Sequence, residues 1–372
     1  MSQGRSDVSP DAAGAAARPP LAIARQGAFH AGGSYTRTVD GQVMTGQMFV
    51  QFQIPAALRH PYPVVMVHGG GQTGVNFLST PDGREGWADY FLRQGHAVYV
   101  VDQVGRGRSG YVTEVYGPTR RPNTTAIADR FSDPRSTAGF PQAARHTRWP
   151  GGGRAGDPVF DQFFASQVED MADGAAIEAL NRAALAAVLD RIGPAVLLMH
   201  SQAGAIGWGI ADDRPEQVKA LLAIEPNGPP LHEVKMLGAP DWFEDGPVGR
   251  PYGITRTPLA YDPPVATPGE LALVREAEAQ APDLVHGWLQ LEPARRLPNL
   301  ARVPILIVTA EASYHAGYDH CTARYLTQAG VPNEFVRLAD VGIRGNGHMM
   351  MLETNNEEIA AFLDGWITRT LG

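Results

Sequence analysis

One cysteine, Cys321, stands in a chain of 372 residues. That excludes a disulfide within the chain and leaves the fold to rest on buried apolar surface. The lone thiol reads as a packed side chain rather than a nucleophile. No apolar run approaches the length needed to cross a bilayer, so no membrane partner is expected. The first twenty residues, rich in Ala, Gly, Pro and Ser, lack the continuous apolar centre of a signal peptide. They read as a disordered tail over 1–20, with a cytoplasmic location unless a leader has been removed. Positive charge is in the minority: 31 Lys and Arg against 39 Asp and Glu give a net charge of -8. There is no basic run and no zinc-finger spacing, which argues against nucleic acid as a ligand. With 44% hydrophobic and 19% charged residues the chain has the composition of a folded globular protein rather than a disordered one.

What is present is an alternation of short apolar runs and helical stretches. Val64–Val67 and Ala97–Val101 read as buried strands flanking a helix over 84–94, a right-handed parallel crossover. An antiparallel strand is expected before them over about 44–54. Further strands fall at 195–198, 218–224, 303–308 and 335–338, with helices over 158–191, to 213, over 316–329 and over 355–371. The pattern predicts an α/β fold, a doubly wound and mostly parallel sheet, as a single domain over 21–372. Two excursions interrupt it, at about 111–157 and 227–300, both rich in proline and both leaving near the carboxyl ends of strands, where such sheets bind ligands. The second reads as a lid or cap. Its aromatics, Trp242, Phe243, Tyr252, Tyr261 and Trp288, either line a substrate cleft or form the insertion's own small core. Trp242, Phe243 and Trp288 are the pocket candidates.

One serine is placed for chemistry. Met199-His200-Ser201-Gln202-Ala203-Gly204 follows the strand at 195–198 and precedes a helix. A strand, a sharp turn with a serine and a helix form a nucleophile elbow, which pushes the hydroxyl out at the sheet edge. Small residues are needed two positions either side; Ala203 meets this and Met199 does not. A serine hydroxyl needs a base, and the base needs a carboxylate to hold its tautomer. Of the 11 histidines, His348 lies just before the last helix, where this architecture delivers the base. His315 and His320 follow the preceding strand instead. The acid is open on placement alone, between Glu225 at the end of the 218–224 strand and Glu311 or Asp319 after the next. His68-Gly69-Gly70-Gly71 ends the strand expected beside Ser201. Its bare backbone lets N–H groups reach a substrate oxygen, so Gly70 or Gly71, with the N–H of Gln202, would form an oxyanion hole. His68 reads as a prop for this loop.

Two other patterns carry less. Gly105-Arg106-Gly107-Arg108-Ser109-Gly110 matches a dinucleotide fingerprint but opens no helix and has no acidic strand end after it, so no nicotinamide cofactor is expected. The glycines read as shaping a loop beside the pocket. His315, Asp319 and His320 are close in sequence, but no second cluster completes a metal site.

Taken together, Thr80-Pro81-Asp82-Gly83-Arg84-Glu85-Gly86-Trp87, Asp102 to Ser109, His200 to Gly204, Glu225-Pro226 and Gly345-Asn346-Gly347-His348-Met349-Met350-Met351 resemble the bacterial α/β-hydrolase serine esterases whose triad acid is a glutamate after the sixth strand. The resemblance implies Ser201 as nucleophile, Glu225 as acid and His348 as base. It implies hydrolysis of a small-molecule carboxylic ester through an acyl-enzyme, without cofactor or metal. It also implies a homodimer for some members and export for others. A lactonase, an amidase or a carbon–carbon bond hydrolase would use the same machinery, and a non-catalytic ligand-binding relative would keep only the fold.

Overall fold

A computed structural model describes residues 18–372. The tail expected over 1–20 lies mostly outside the described residues. Of its last three, Arg18 pairs with Glu85 and Glu357, and the Pro19 carbonyl accepts from Arg93.

The core is an eight-stranded sheet: β1 (Ile23–Thr38), β2 (Gly41–Pro55), β3 (Val64–Val67), β4 (Val98–Asp102), β5 (Ala195–His200), β6 (Val218–Ile224), β7 (Ile305–Thr309) and β8 (Glu334–Arg337). Their spatial order is β1-β2-β4-β3-β5-β6-β7-β8. The β1–β2 and β2–β4 pairings are antiparallel and all others parallel. β3, β4, β5 and β7 are buried at every position, which is why they read as unbroken apolar runs. β1 is mostly exposed and polar and contains Gly32-Gly33, so no apolar pattern announced it.

Alternate residues serve two cores. Val65, Val67, Leu197 and Met199 face helices α3 (Gly174–Ile192), α4 (Ala203–Asp213) and α5 (Asp319–Gln328). Val64, Met66, Val196 and Leu198 face helices α1 (Trp87–Gln94) and α6 (Asn356–Leu371). The single long helix expected over 158–191 is two. α2 (Pro158–Ala165), capped by Asp157, stops before an extended stretch, and α3 restarts behind its own cap, Asp173. The interruption brings Asp170 to Arg106, 3.1 Å away.

Register places the chemistry. Val67 lies opposite Met199, His200 opposite Ile224, and Ile224 opposite Val308. The residues just past β3, β5, β6 and β7 therefore share one sheet edge. Strand order reverses between β3 and β5, and the crevice at such a switch point is where open α/β sheets take ligands.

Candidate active site

Ser201 follows β5 in a left-handed conformation, φ +55°. For a residue with a side chain this costs on the order of 1–3 kcal/mol, so neighbouring contacts must enforce it. They do: its N–H donates to Ile224 O at 2.9 Å, and its carbonyl accepts from the N–H groups of Gly204 and Asn227, each at 2.8 Å. The turn is tight enough that a Cβ on Gly204 would lie 2.3 Å from Pro226. Met199, unexpected at an elbow, is accommodated by Gly207: a Cβ there would fall 3.0 Å from Met199 Cγ. The small residue required between strand and helix has moved along α4.

Glu225, just past β6, is likewise left-handed at φ +47°. Its Oε1 accepts from Ala310 N–H at 2.8 Å, and its Oε2 accepts from Ser313 Oγ at 2.7 Å. The same Oε2 is 2.5 Å from His348 Nδ1, across 123 positions of chain. A proton on Nδ1 leaves the Nε2 lone pair free, and Nε2 lies 3.4 Å from the Tyr314 hydroxyl, which also reaches the Ser201 side chain. Ser201 and His348 make no direct hydrogen bond here. Such contacts tighten with substrate bound. Burial pushes the His348 imidazole well below its ordinary range, helped by nearby His200 and His315, so it rests neutral. Burial, reinforced by the charge of Asp319, pushes Glu225 up, while Ser313 and Ala310 donate to it and pull it back.

The rival acids go elsewhere. Asp319 holds His315 Nδ1 at 2.8 Å and accepts from Thr309 Oγ1 at 2.6 Å. Glu311 accepts from Gly345 N–H at 2.9 Å and pairs with Arg344. His320 packs against Cys321, whose thiol burial pushes up to about 12, the behaviour of an inert packed sulfur. Among the described residues two three-residue clusters have ligand atoms within 4.8 Å of one another, His60, His96 and Asp364 away from the site and Glu225, His315 and His348 within it. A cation there would take Oε2 from Nδ1 of His348, so these residues suit the hydrogen-bonded pair better than a metal.

The glycine loop beside Ser201 is pinned from beneath. Gly69 O accepts from Arg106 Nη1 at 2.8 Å and from His68 Nδ1 at 2.9 Å, while Gln103 N–H donates to His68 Nε2 at 3.0 Å. Across a trans peptide the Gly70 N–H must point opposite to that fixed carbonyl. Gly69 also presses on the serine: a Cβ on it would sit 2.9 Å from Ser201 Cβ. Arg106 further donates through Nη2 to the Gln202 side chain and to Asp170. Its complete burial lowers its pKa to about 10, leaving it charged at neutral pH. Arg106 was invisible as a functional residue in sequence because it sat inside a glycine pattern. A charged side chain amid a run of loop glycines after a buried strand was the available signal.

Gly70, Gly71, Ser201 and Gln202 line a cavity of about 650 Å³, together with Arg130, Phe131, Tyr314 and Tyr318. The expected pocket residues Trp242, Phe243 and Trp288 do not line it. Trp242 and Phe243 border a separate surface hollow, and Trp288 stacks on His232 with centroids 4.3 Å apart. Tyr252 and Tyr261 are buried in the main core. Trp288 also packs against that core, Phe243 packs beside Val285, Tyr318 and Cys321, and the first insertion supplies Phe131, stacked 5.1 Å from His348.

A strand order of this kind, with an elbow serine after β5, defines the α/β-hydrolase fold. The chain belongs to the Alpha/beta hydrolase family, whose profile matches residues 64–362. It is 42% identical over 344 residues to a probable secreted lipase, phiG, of a fungal species, covering 92% of this chain and 89% of that one. It is 35% identical over 122 residues to the lipase LipV of Mycobacterium tuberculosis, covering 31% of this chain and 45% of that one. In structure it resembles a novel bacterial esterase solved at atomic resolution, with a TM-score of 0.65 at 22% identity, over 97% of this chain and 100% of the other.

Proposed function

We propose that the protein is a serine hydrolase of carboxylic esters, with Ser201 as nucleophile, His348 as base and Glu225 as the triad acid. The observation that carries this is the 2.5 Å contact between His348 Nδ1 and Glu225 at the sheet edge that also bears the strained Ser201. Lipase and esterase relatives support the reaction class. His348 Nε2 takes the hydroxyl proton as Ser201 Oγ attacks the carbonyl carbon. Glu225 holds the ring and stabilises its charged form. The developing oxyanion accepts from Gln202 N–H and from Gly70 or Gly71. The fixed Gly69 carbonyl favours Gly70 as that donor. The alkoxide leaves with the proton from His348, and a water, deprotonated by the same nitrogen, then cleaves the acyl-enzyme.

Ser201→Ala should abolish turnover of p-nitrophenyl esters and labelling by a fluorophosphonate probe while the fold is kept. Retention of a tenth of wild-type activity would refute the assignment. The same probe separates this reading from a binding protein that has kept only the fold. Assays on lactones and amides separate it from the enzymes that share its machinery. A homodimer and a cytoplasmic location are further proposals. Light scattering tests the first. The relative named as secreted makes export the alternative to the second, and fractionation of cells expressing the natural gene decides.

A further inference from the structure

The cavity over Ser201 is walled by charge. Arg120, Arg121, Arg130 and Arg256 all line it. Three of them are committed. Arg120 faces Asp170 at 3.5 Å, Arg121 donates through Nε to Glu169 at 2.8 Å, and Arg256 pairs with Glu233 at 2.9 Å. Arg130 makes no ion pair or hydrogen bond among the described residues. Its guanidinium instead lies over the Tyr314 ring, 5.2 Å from the centroid. Tyr314 is the residue whose hydroxyl reaches both Ser201 and His348 Nε2. Arg130 sits in a short π-helical turn, Ala128–Ser132, whose neighbouring residue Phe131 stacks on His348. Turns of this kind recur at functional sites because they redirect side chains. Here the turn sets a cation about one tyrosine ring away from the candidate nucleophile.

A guanidinium matches a carboxylate in shape and charge, and two parallel N–H···O bonds fix it in orientation. The rest of the protein works against anions, since the net charge is -8. An unpaired arginine at the mouth of the reacting centre is then the local feature able to hold one. A long alkyl chain would have to desolvate these charged walls, which is costly. We infer that the preferred substrate is an ester whose acyl part carries a carboxylate, such as a half-ester of a short dicarboxylic acid, anchored by Arg130. This rests on the hydrolase reading above and narrows it to a substrate class.

The test compares p-nitrophenyl butyrate with the mono-p-nitrophenyl ester of glutaric acid, in wild type and in Arg130→Gln, Arg130→Lys and Arg130→Glu. Wild type is expected to favour the anionic ester by about tenfold or more in kcat/KM. In Arg130→Gln the ratio should fall to near one through a raised KM for the anionic ester. Arg130→Lys should recover part of it, and Arg130→Glu should reverse it. Equal turnover of the two esters by wild type, or a ratio unchanged in Arg130→Gln, would overturn the inference and leave the hydrolase reading standing. Absence of Ser201-dependent turnover of either ester would overturn both.

Discussion

The imidazole of His315 lies against that of His348, with ring centroids 4.8 Å apart and planes 10° from parallel. Each ring is held by its own carboxylate: His315 by Asp319 at 2.8 Å and His348 by Glu225 at 2.5 Å. Two histidine–carboxylate pairs are thus packed face to face in one buried space, and a proton on one ring disfavours a proton on the other. This is part of why His348 sits low.

The consequence is a pH profile. A base whose folded pKa is depressed stays neutral and active as pH falls through the ordinary histidine value of about 6.5, and is lost only lower. The acid limb of kcat/KM should therefore lie below pH 6.5. Its midpoint belongs to the His348–Glu225 pair, since the two groups titrate together. In His315→Asn the opposing ring is gone, and the limb should move up toward 6.5 while the plateau falls by less than about tenfold. A stopped profile from pH 4 to 9 reads this directly. A limb that stays in place would mean the stacking is packing alone.

The choice of acid gives a ranking. Glu225→Gln removes the charge that holds the Nδ1 proton and should lower kcat by roughly 10³–10⁴, the scale seen when a triad acid is made neutral. Glu311→Gln and Asp319→Asn touch carboxylates bonded to Gly345 and His315, and each should stay within about tenfold of wild type. Circular dichroism and thermal melts establish that all three remain folded. The reverse order would move the acid to the strand β7 side.

Much of this was legible in the chain and some was not. Strands β3 to β7 announced themselves because both faces are buried, and a run such as Val64–Val67 admits few other readings. β1 did not, because an edge strand is polar on most of its surface. Ser201 and His348 stood out by position between elements. Glu225 did not stand out from Glu311 and Asp319, since all three follow buried strands and only register distinguishes them. Aromatic content misled at Trp242, Phe243 and Trp288: Trp288 packs on the main core and Phe243 beside Tyr318 and Cys321, and sequence does not say which way a ring faces. The cavity wall draws on both insertions, on Glu233, Val234, Met236 and Arg256 of the second and on Arg130 and Phe131 of the first, none of which had a periodicity to mark it.

Arg106 is the residue whose removal should separate positioning from chemistry. It holds Gly69 O, the Gln202 side chain and Asp170 together beneath the loop. Arg106→Met should release the Gly69–Gly70 peptide and lower kcat by about 10²–10³, the usual cost of one oxyanion donor, with a smaller change in KM. Arg106→Lys, which can still reach one acceptor, should recover part of the loss. A KM effect with kcat intact would assign Arg106 to substrate binding instead.

Stability should also respond to acid through histidines that the fold keeps uncharged. His68 and His200 are wholly buried, and desolvation lowers each to about 3. His68 is fixed in one tautomer by Gly69 O and Gln103 N–H; His200 has its Nε2 on His348 O at 3.1 Å and, among the described residues, no partner for Nδ1. In the unfolded chain both gain a proton below about pH 6.5, whereas in the fold neither does until about pH 3. Between those limits the unfolded state binds more protons, so stability falls as pH falls, by up to about 1.4 kcal/mol per pH unit for each ring. Above pH 6.5 the two states bind equally and the effect vanishes. Asp89 opposes this: burial raises it to about 6, so the fold takes its proton before the unfolded chain does and gains stability as pH drops from 6 toward 4. The contribution of one ring is therefore read as a difference between proteins. Urea midpoints at pH 7, 6, 5 and 4 should show a shallower decline in His68→Gln than in wild type, whatever their difference at pH 7. Parallel declines would mean that His68 accepts a proton without unfolding, and the hydrogen bonds that fix its tautomer would have to be reassigned.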